Sequence, residues 1–290
     1  MPVHAQATTN EQQVEKLRQG TVAILGAGKM GGAILDALIA SAGIPAERLR
    51  ITVKHREHAH QLSDRLKLTV ETDNAAAVRG ASLVLICVKP QHVTEVASSI
   101  APHVSPDALI ISIATAVTTA EIETAIGARV AVIRAMPNTP CRVGKGMTAL
   151  CRGRWATDDS IGEASTLFSL MGKTTEVDEA WMDSVTSLSA SGPAFIYVII
   201  EALAEGGVRT GLPRELATLL AAQATLGAAA MVLESGLHPA LLKSEVTTPA
   251  GCTVDGLLEL EDGKIRASLI RAVTTTSEKA GRLVPHTKKR

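Results

Sequence analysis

Gly26, Ala27, Gly28, Lys29, Met30 and Gly31 form a Gly-x-Gly-x-x-Gly run directly after a short apolar segment. Such a run acts through its backbone. The first glycine allows a tight turn, the second lets a pyrophosphate approach, and the third lets a helix lie close to a strand. A helix opening there presents unpaired N–H groups to phosphate oxygens. The end of the next strand selects between dinucleotides, because an acid there holds a free ribose 2′-hydroxyl. This chain has Lys54, His55 and Arg56 instead, a cluster suited to a 2′-phosphate. NADPH is the expected cofactor and NADH the weaker alternative. No metal site is expected. His55, His58 and His60 do not converge at helical spacing, and no cysteine or carboxylate completes a ligand set.

Two further turns close apolar strands, at Val88-Lys89-Pro90-Gln91 and Ile113-Ala114-Thr115-Ala116. Open α/β sheets bind ligands at that end of their strands. A different constellation lies near the C-terminus, at Thr247-Thr248-Pro249-Ala250-Gly251-Cys252-Thr253. Pro249 imposes an extended approach and Gly251 removes side-chain bulk. The N–H groups of 251–253 then point outward at a helix start, a ready carboxylate site. Thr253 can cap that helix or meet a substrate. Ser187–Pro193 reads as a second helix start or a pocket wall, and Ser191 lacks a nucleophile context. Met136-Pro137-Asn138-Thr139-Pro140 is a candidate pocket loop. His238, beside Pro239, reads as a helix boundary.

The elements that must carry these residues follow from periodicity. Strands are expected at 21–25, 50–53, 68–71, 83–88, 109–113 and 130–134, with further ones at 147–151 and 173–177. Helices are expected at 29–42, 56–66, 91–100 and 119–126. Runs such as Leu83-Val84-Leu85-Ile86-Cys87-Val88 are apolar on both faces. Strands of that kind between helices indicate a doubly wound parallel sheet, an α/β class. After about residue 178 the chain turns to Ala/Leu-rich helical stretches at 194–206, 214–235, 254–261 and 264–281. The expected divisions are a flexible tail at 1–19, a nucleotide domain at 20–177, an all-α domain at 178–282 and a basic tail at 283–290.

Composition excludes several classes. The chain has 290 residues, 46% apolar, with 29 basic and 29 acidic side chains. That is too apolar for a disordered chain. Its neutral balance and five aromatic residues argue against a nucleic-acid partner. Alanine fills 44 positions, which calls for closely packed backbones. Four cysteines without a Cys-x-x-Cys pair fit free thiols in a cytoplasmic protein. Leu216–Leu233 is uncharged over 18 residues, at the lower edge of membrane length. Its threonines, glutamine and alanines favour a subunit interface, and no membrane partner is expected.

Several of these motifs, in order, resemble the pyrroline-5-carboxylate reductases. The resemblance runs from Val22 to about Ala280. Its most specific part is Leu242–Leu257, joined by Val88–Gln91, Met136–Pro140, Ser189–Ala194 and Glu201–Val208. It implies a Rossmann-type domain and a helical dimerisation domain whose intertwined homodimer builds the active site, with rings of dimers such as decamers. It implies reduction of 1-pyrroline-5-carboxylate to L-proline by hydride transfer to the C=N carbon, the last step of proline biosynthesis. The cofactor would meet the glycine loop, the basic turn, Asn74, the Val88-Lys89-Pro90 turn, Ile113 and Thr115. The substrate carboxylate would meet backbone amides of Gly251, Cys252 and Thr253, beside Thr248. Thr253, the catalytic residue by this resemblance, would hydrogen-bond the ring nitrogen. Glu179 would lie near the substrate. The family usually has Gly where Ala116, Ala190 and Ala250 stand, and often Asn or Gln at Glu245.

Little acid–base machinery is needed, since a protonated imine is already electrophilic; what is needed is orientation. A β-hydroxyacid dehydrogenase has a similar architecture but uses an interdomain lysine. None occurs between Lys173 and Lys243. A non-catalytic NADP sensor would need the glycine loop but no pocket at Thr253.

Overall fold

The computed structural model describes residues 13–282. The flexible tail expected over 1–12 and the basic tail expected at 283–290 lie outside the described residues. Contacts divide the chain into two compact units. One runs to Ala190 and includes the segment from Ser277; the other is Ser191–Thr276.

The first unit is built on eight strands: β1 (Val22–Leu25), β2 (Leu49–Thr52), β3 (Val70–Glu71), β4 (Leu83–Ile86), β5 (Leu109–Ser112), β6 (Ala131–Pro137), β7 (Gly146–Arg152) and β8 (Gly172–Glu176). Their order is β3-β2-β1-β4-β5-β6-β7-β8. The first six are parallel, in the doubly wound order that reverses between β1 and β4. β7 runs antiparallel to β6, because residues 138–145 are too short for a crossover. β8 returns parallel to β7 through a helix.

The helices of this unit are α1 (13–19), α2 (Lys29–Ala40), α3 (Arg56–Leu66), α4 (Asn74–Val78), α5 (Val93–Ile100), α6 (Thr119–Ile126), α7 (Asp158–Ser169) and α8 (Met182–Val185). In β4, Leu83 and Leu85 enter the core on one face while Val84 and Ile86 enter the other. An apolar strand without alternation is the consequence of burial on both sides.

The segment 13–19, expected within a flexible tail, is helical. Leu17 is fully buried in the core, and Lys16 pairs with Asp159 at 2.8 Å and Glu163 at 2.7 Å. The sequence reads as a flexible tail with about one turn of helix, because seven helical residues with a single anchoring leucine carry too little periodicity to show more. The first unit also extends past the compositional change near 178. Met182 is fully buried against Met136, Ala149 and Cys151, which keeps 179–190 on the sheet.

The second unit holds α9 (Gly192–Arg209), α10 (Arg214–Ser235), α11 (Pro239–Glu245), α12 (Cys252–Asp262) and most of α13 (Ile265–Ala280). α9 and α10 meet through Ala204, Ala217 and Ala221, small residues that let helices approach closely. Leu219, Leu226, Met231 and Leu233 of α10 are exposed on this chain. The stretches Glu179–Arg209 and Arg214–Ser235 are long and apolar enough to cross a membrane by length and composition.

Candidate functional site

The glycine loop has the geometry its spacing calls for. Gly26 has φ +97° and donates its N–H to the Thr52 carbonyl at 2.9 Å. A Cβ there would stand 2.9 Å from the Cys87 carbonyl oxygen. At Gly31 a Cβ would stand 2.5 Å from the Gly26 carbonyl oxygen, so α2 can lie this close only without a side chain. At Gly28 a Cβ would meet nothing within 4 Å. The space beside the backbone is open where a pyrophosphate would approach. Gly28 caps α2 with no side-chain bond, and the Lys29 and Met30 N–H groups have no partner among the described residues. The site therefore offers an unfilled positive helix end to an anion.

Lys54, His55 and Arg56 follow β2 and are all exposed, with no ion pair to a described carboxylate. Next to them Thr52, 1% exposed, donates its hydroxyl to Asn74 Oδ1 at 2.6 Å. That bond fixes the Asn74 amide and leaves its N–H groups free to donate outward. A cavity of about 280 Å³ is lined by Gly26, Thr52, Lys54, Asn74, Val88 and His92. A wider cleft of about 880 Å³ opens from Gly28 and Lys29 along α2. Of the basic turn, Lys54 lines the smaller cavity; the glycine loop borders both.

Val88 and Pro90 are half-buried and Lys89 is exposed, in a turn closed by Pro90. At the end of β5, Ile113 and Thr115 are half-buried. Ala114 donates its N–H to Ser112 Oγ at 3.3 Å, and Ala116 sits at φ +62°. These residues fit a dinucleotide lying across the strand ends of β1, β2, β4 and β5.

In the second unit, Ala250 has φ +60° and Gly251, not Thr253, caps α12. The Cys252 and Thr253 N–H groups and the Thr253 hydroxyl have no partner among the described residues. Thr253 stands inside the first turn of α12. The capping alternative is removed, and the hydroxyl remains free. A Cβ at 251 would stand 2.6 Å from Thr248 Oγ1, so the turn is closed to any larger residue. Glu245 is exposed and has no ion pair to a described cation.

Four further residues singled out by sequence, Glu179, Asn138, Ser187 and His238, are engaged in bonds within their own units. Both oxygens of Glu179 are engaged within the first unit. Oε1 accepts the Thr119 N–H at 2.8 Å and stands 3.5 Å from Arg134 Nη1; Oε2 accepts the Thr119 hydroxyl at 2.8 Å. Asn138 clamps its own loop. Its Oδ1 accepts the Met147 N–H at 2.9 Å and its Nδ2 donates to the Ser189 carbonyl at 3.2 Å. The Ser187 hydroxyl is spent on the Ser184 carbonyl. His238 caps α11, accepting the Ala240 N–H.

Cys87 and Cys151 are both held as thiols. Burial pushes Cys87 up to about 12, and burial together with the Glu179 charge does the same to Cys151. Among the described residues, no group of three or more His, Cys, Asp or Glu is placed to hold a metal ion. Thr52, Thr119 and Arg134 were not singled out by sequence. Only Arg134 left a signal, a lone charge in the apolar run Val132-Ile133-Arg134-Ala135-Met136.

Residues 179–283 match the family model for pyrroline-5-carboxylate reductase dimerisation, and 21–116 match that for NADP oxidoreductase, coenzyme F420-dependent. A pyrroline-5-carboxylate reductase of Methanosarcina acetivorans is 38% identical over 262 residues, 90% of this chain and 97% of that protein. The chain belongs to the pyrroline-5-carboxylate reductase family. Two solved members of that family have the same fold. The Coxiella burnetii structure has a TM-score of 0.83 at 32% identity, over 92% of this chain and 99% of its own. The Plasmodium falciparum structure, with NADP bound, has a TM-score of 0.82 at 28% identity, over 91% and 98%. The fold is therefore a Rossmann-type sheet domain followed by the helical dimerisation domain of pyrroline-5-carboxylate reductases, which supports self-association.

Proposed function

We propose that this protein is an NADPH-dependent reductase that converts 1-pyrroline-5-carboxylate to L-proline, the last step of proline biosynthesis. The observation that carries this reading is the start of α12. There two unbonded N–H groups and a free Thr253 hydroxyl share one helix N-terminus capped by a residue without a side chain. A carboxylate needs the first pair, and a ring nitrogen beside it needs the hydroxyl.

Each group then has a task. The Lys29 and Met30 N–H groups receive the pyrophosphate, with Gly28 giving it room. Lys54, His55 and Arg56 hold the 2′-phosphate, and Asn74 donates to the adenosine half. Val88, Lys89, Pro90, Ile113 and Thr115 flank the nicotinamide half. NADPH, when bound, supplies the hydride that reduces the imine carbon. The Cys252 and Thr253 N–H groups anchor the substrate carboxylate, Gly251, whose own N–H is held by the Thr248 carbonyl, shapes their turn with Thr248, and the Thr253 hydroxyl orients the ring nitrogen. Glu179 is not among the substrate contacts in this reading. Holding the reactants in register is the main contribution asked of the protein.

The exposed apolar faces of α9 and α10 pack against a second copy in this reading, forming a homodimer that assembles further into decamers in the cytoplasm. NADPH oxidation with 1-pyrroline-5-carboxylate tests the activity, for the wild type and Thr253→Ala. Turnover by the wild type and a large loss in the mutant are expected. No wild-type turnover removes the reductase reading; an unchanged mutant removes only the role of Thr253.

A further inference from the structure

Arg134 is the one charged residue of β6, and its side chain is 3% exposed. Its Nη1 faces Glu179, but Nε and Nη2 are buried with no hydrogen-bond partner among the described residues. An apolar side chain of similar size would avoid the cost of desolvating a guanidinium that is only partly paired. Buried groups left in this condition call for an explanation, and function is one.

The surroundings supply one. Arg134 stands beside Ser112, the last residue of β5, in the parallel register of β5 and β6. Ser112 anchors the start of the turn 113–118 by accepting the Ala114 N–H. Thr119, at the far end of that turn, gives both its N–H and its hydroxyl to Glu179. Glu179 in turn faces Arg134. The turn, including Ala116 at φ +62°, is thus held at both ends. One end is fixed by β5, and the other by a carboxylate that the buried arginine keeps in place.

We propose that Arg134 is a positioning residue for the nicotinamide half of the cofactor, acting through Glu179 and Thr119 on the turn that carries Ile113 and Thr115. This rests on the reading of Ile113 and Thr115 as cofactor contacts. The adenosine half lies at the ends of β1 and β2 in that reading, so loosening this turn affects only one half of the dinucleotide.

Binding of NADPH and of adenosine 2′,5′-bisphosphate, which lacks the nicotinamide half, separates this role from a merely structural one. In Arg134→Lys and in Thr119→Val, NADPH affinity is expected to fall at least about tenfold, the scale of a misplaced contact. Affinity for the bisphosphate is expected to stay within about twofold of the wild type, since its pocket is untouched. Unchanged NADPH affinity, or an equal loss for both ligands, overturns the proposal. Thr119→Val keeps the test available if Arg134→Lys does not fold. Thr115→Ala identifies the level of failure. If it weakens NADPH selectively while the other two variants do not, only the role of Arg134 is lost. If all three leave NADPH affinity unchanged, the cofactor reading of the turn is lost as well.

Discussion

Thr52 donates its buried hydroxyl to Asn74 Oδ1 at 2.6 Å and so sets which face of the Asn74 amide is presented to the cofactor cavity. Thr52→Val keeps the shape and deletes the donor. Asn74 is then free to turn its oxygen toward a ligand acceptor. The expected result is a several-fold rise in the Michaelis constant for NADPH with little change in kcat, as for the loss of one neutral hydrogen bond of about 1 kcal/mol. Steady-state kinetics checks this, and an unchanged constant would show that Asn74 needs no orienting partner.

The basic turn makes a prediction about discrimination. Arg56 has no described acid to pair with, so its charge is available to a 2′-phosphate. Arg56→Ala should raise the Michaelis constant about tenfold or more for NADPH and barely change it for NADH, given roughly 1.5–3 kcal/mol for a charged hydrogen bond. Equal effects on both cofactors would contradict a 2′-phosphate site.

Much of this could be read from sequence because it rests on local rules. The glycine loop was visible because its spacing is set within six residues, from Gly26 at its positive φ to Gly31, whose missing side chain clears the Gly26 carbonyl. α6 was visible at Thr119–Ile126 because its capping box is spelled within four residues, Thr118 to Glu121. What was hidden depends on partners far along the chain. Glu179 engages Thr119 across 60 positions, so no local pattern announces that its carboxylate is already committed. Likewise α1 is held by Asp159 and Glu163. α7 was missed although Thr157 and Ser160 cap it reciprocally, because Ser at the second position is a weaker cue than Glu.

The clasp between α1 and α7 gives a pH dependence. Burial pulls the Lys16 ammonium down, but the hydrogen bonds it donates to Asp159 and Glu163 outweigh it and hold the group above its ordinary 10.5. The Lys16 bond, with help from Gln13, holds Asp159 below its ordinary 3.8. A raised lysine contributes stability that is complete below 10.5 and fades as pH rises through the folded value. A lowered aspartate contributes stability that is complete above 3.8 and fades as pH falls through its folded value. Lys16→Met leaves the nearly buried Glu163 unpaired and should cost about 1–2 kcal/mol, since Lys16 itself is half in solvent. The gap in Tm between wild type and mutant should be flat from about pH 5 to 10 and narrow beyond both ends. A gap that stays constant at pH 3 and pH 11 would mean that α1 is held by Leu17 alone.

Ala250 and Ala116 occupy backbone conformations that favour glycine, at φ +60° and +62°. A left-handed angle costs an alanine roughly 1–2 kcal/mol through contact of its Cβ with the following carbonyl. Glycine removes that cost but adds chain entropy to the unfolded state, about 0.5–1 kcal/mol. Ala250→Gly and Ala116→Gly should therefore each raise stability slightly, by up to about 1 kcal/mol, measured by chemical unfolding. At 250 this angle leads into Gly251, the cap of α12, beyond which the Cys252 and Thr253 N–H groups have no partner among the described residues. Ala250→Gly should accordingly be more stable and bind the substrate carboxylate somewhat more tightly, because glycine reaches the left-handed angle of this turn without the cost an alanine bears. A mutant that gains stability with an unchanged Michaelis constant for 1-pyrroline-5-carboxylate would show that the turn is fixed by its neighbours. In that case Thr248, packed against Gly251, is the residue to vary next.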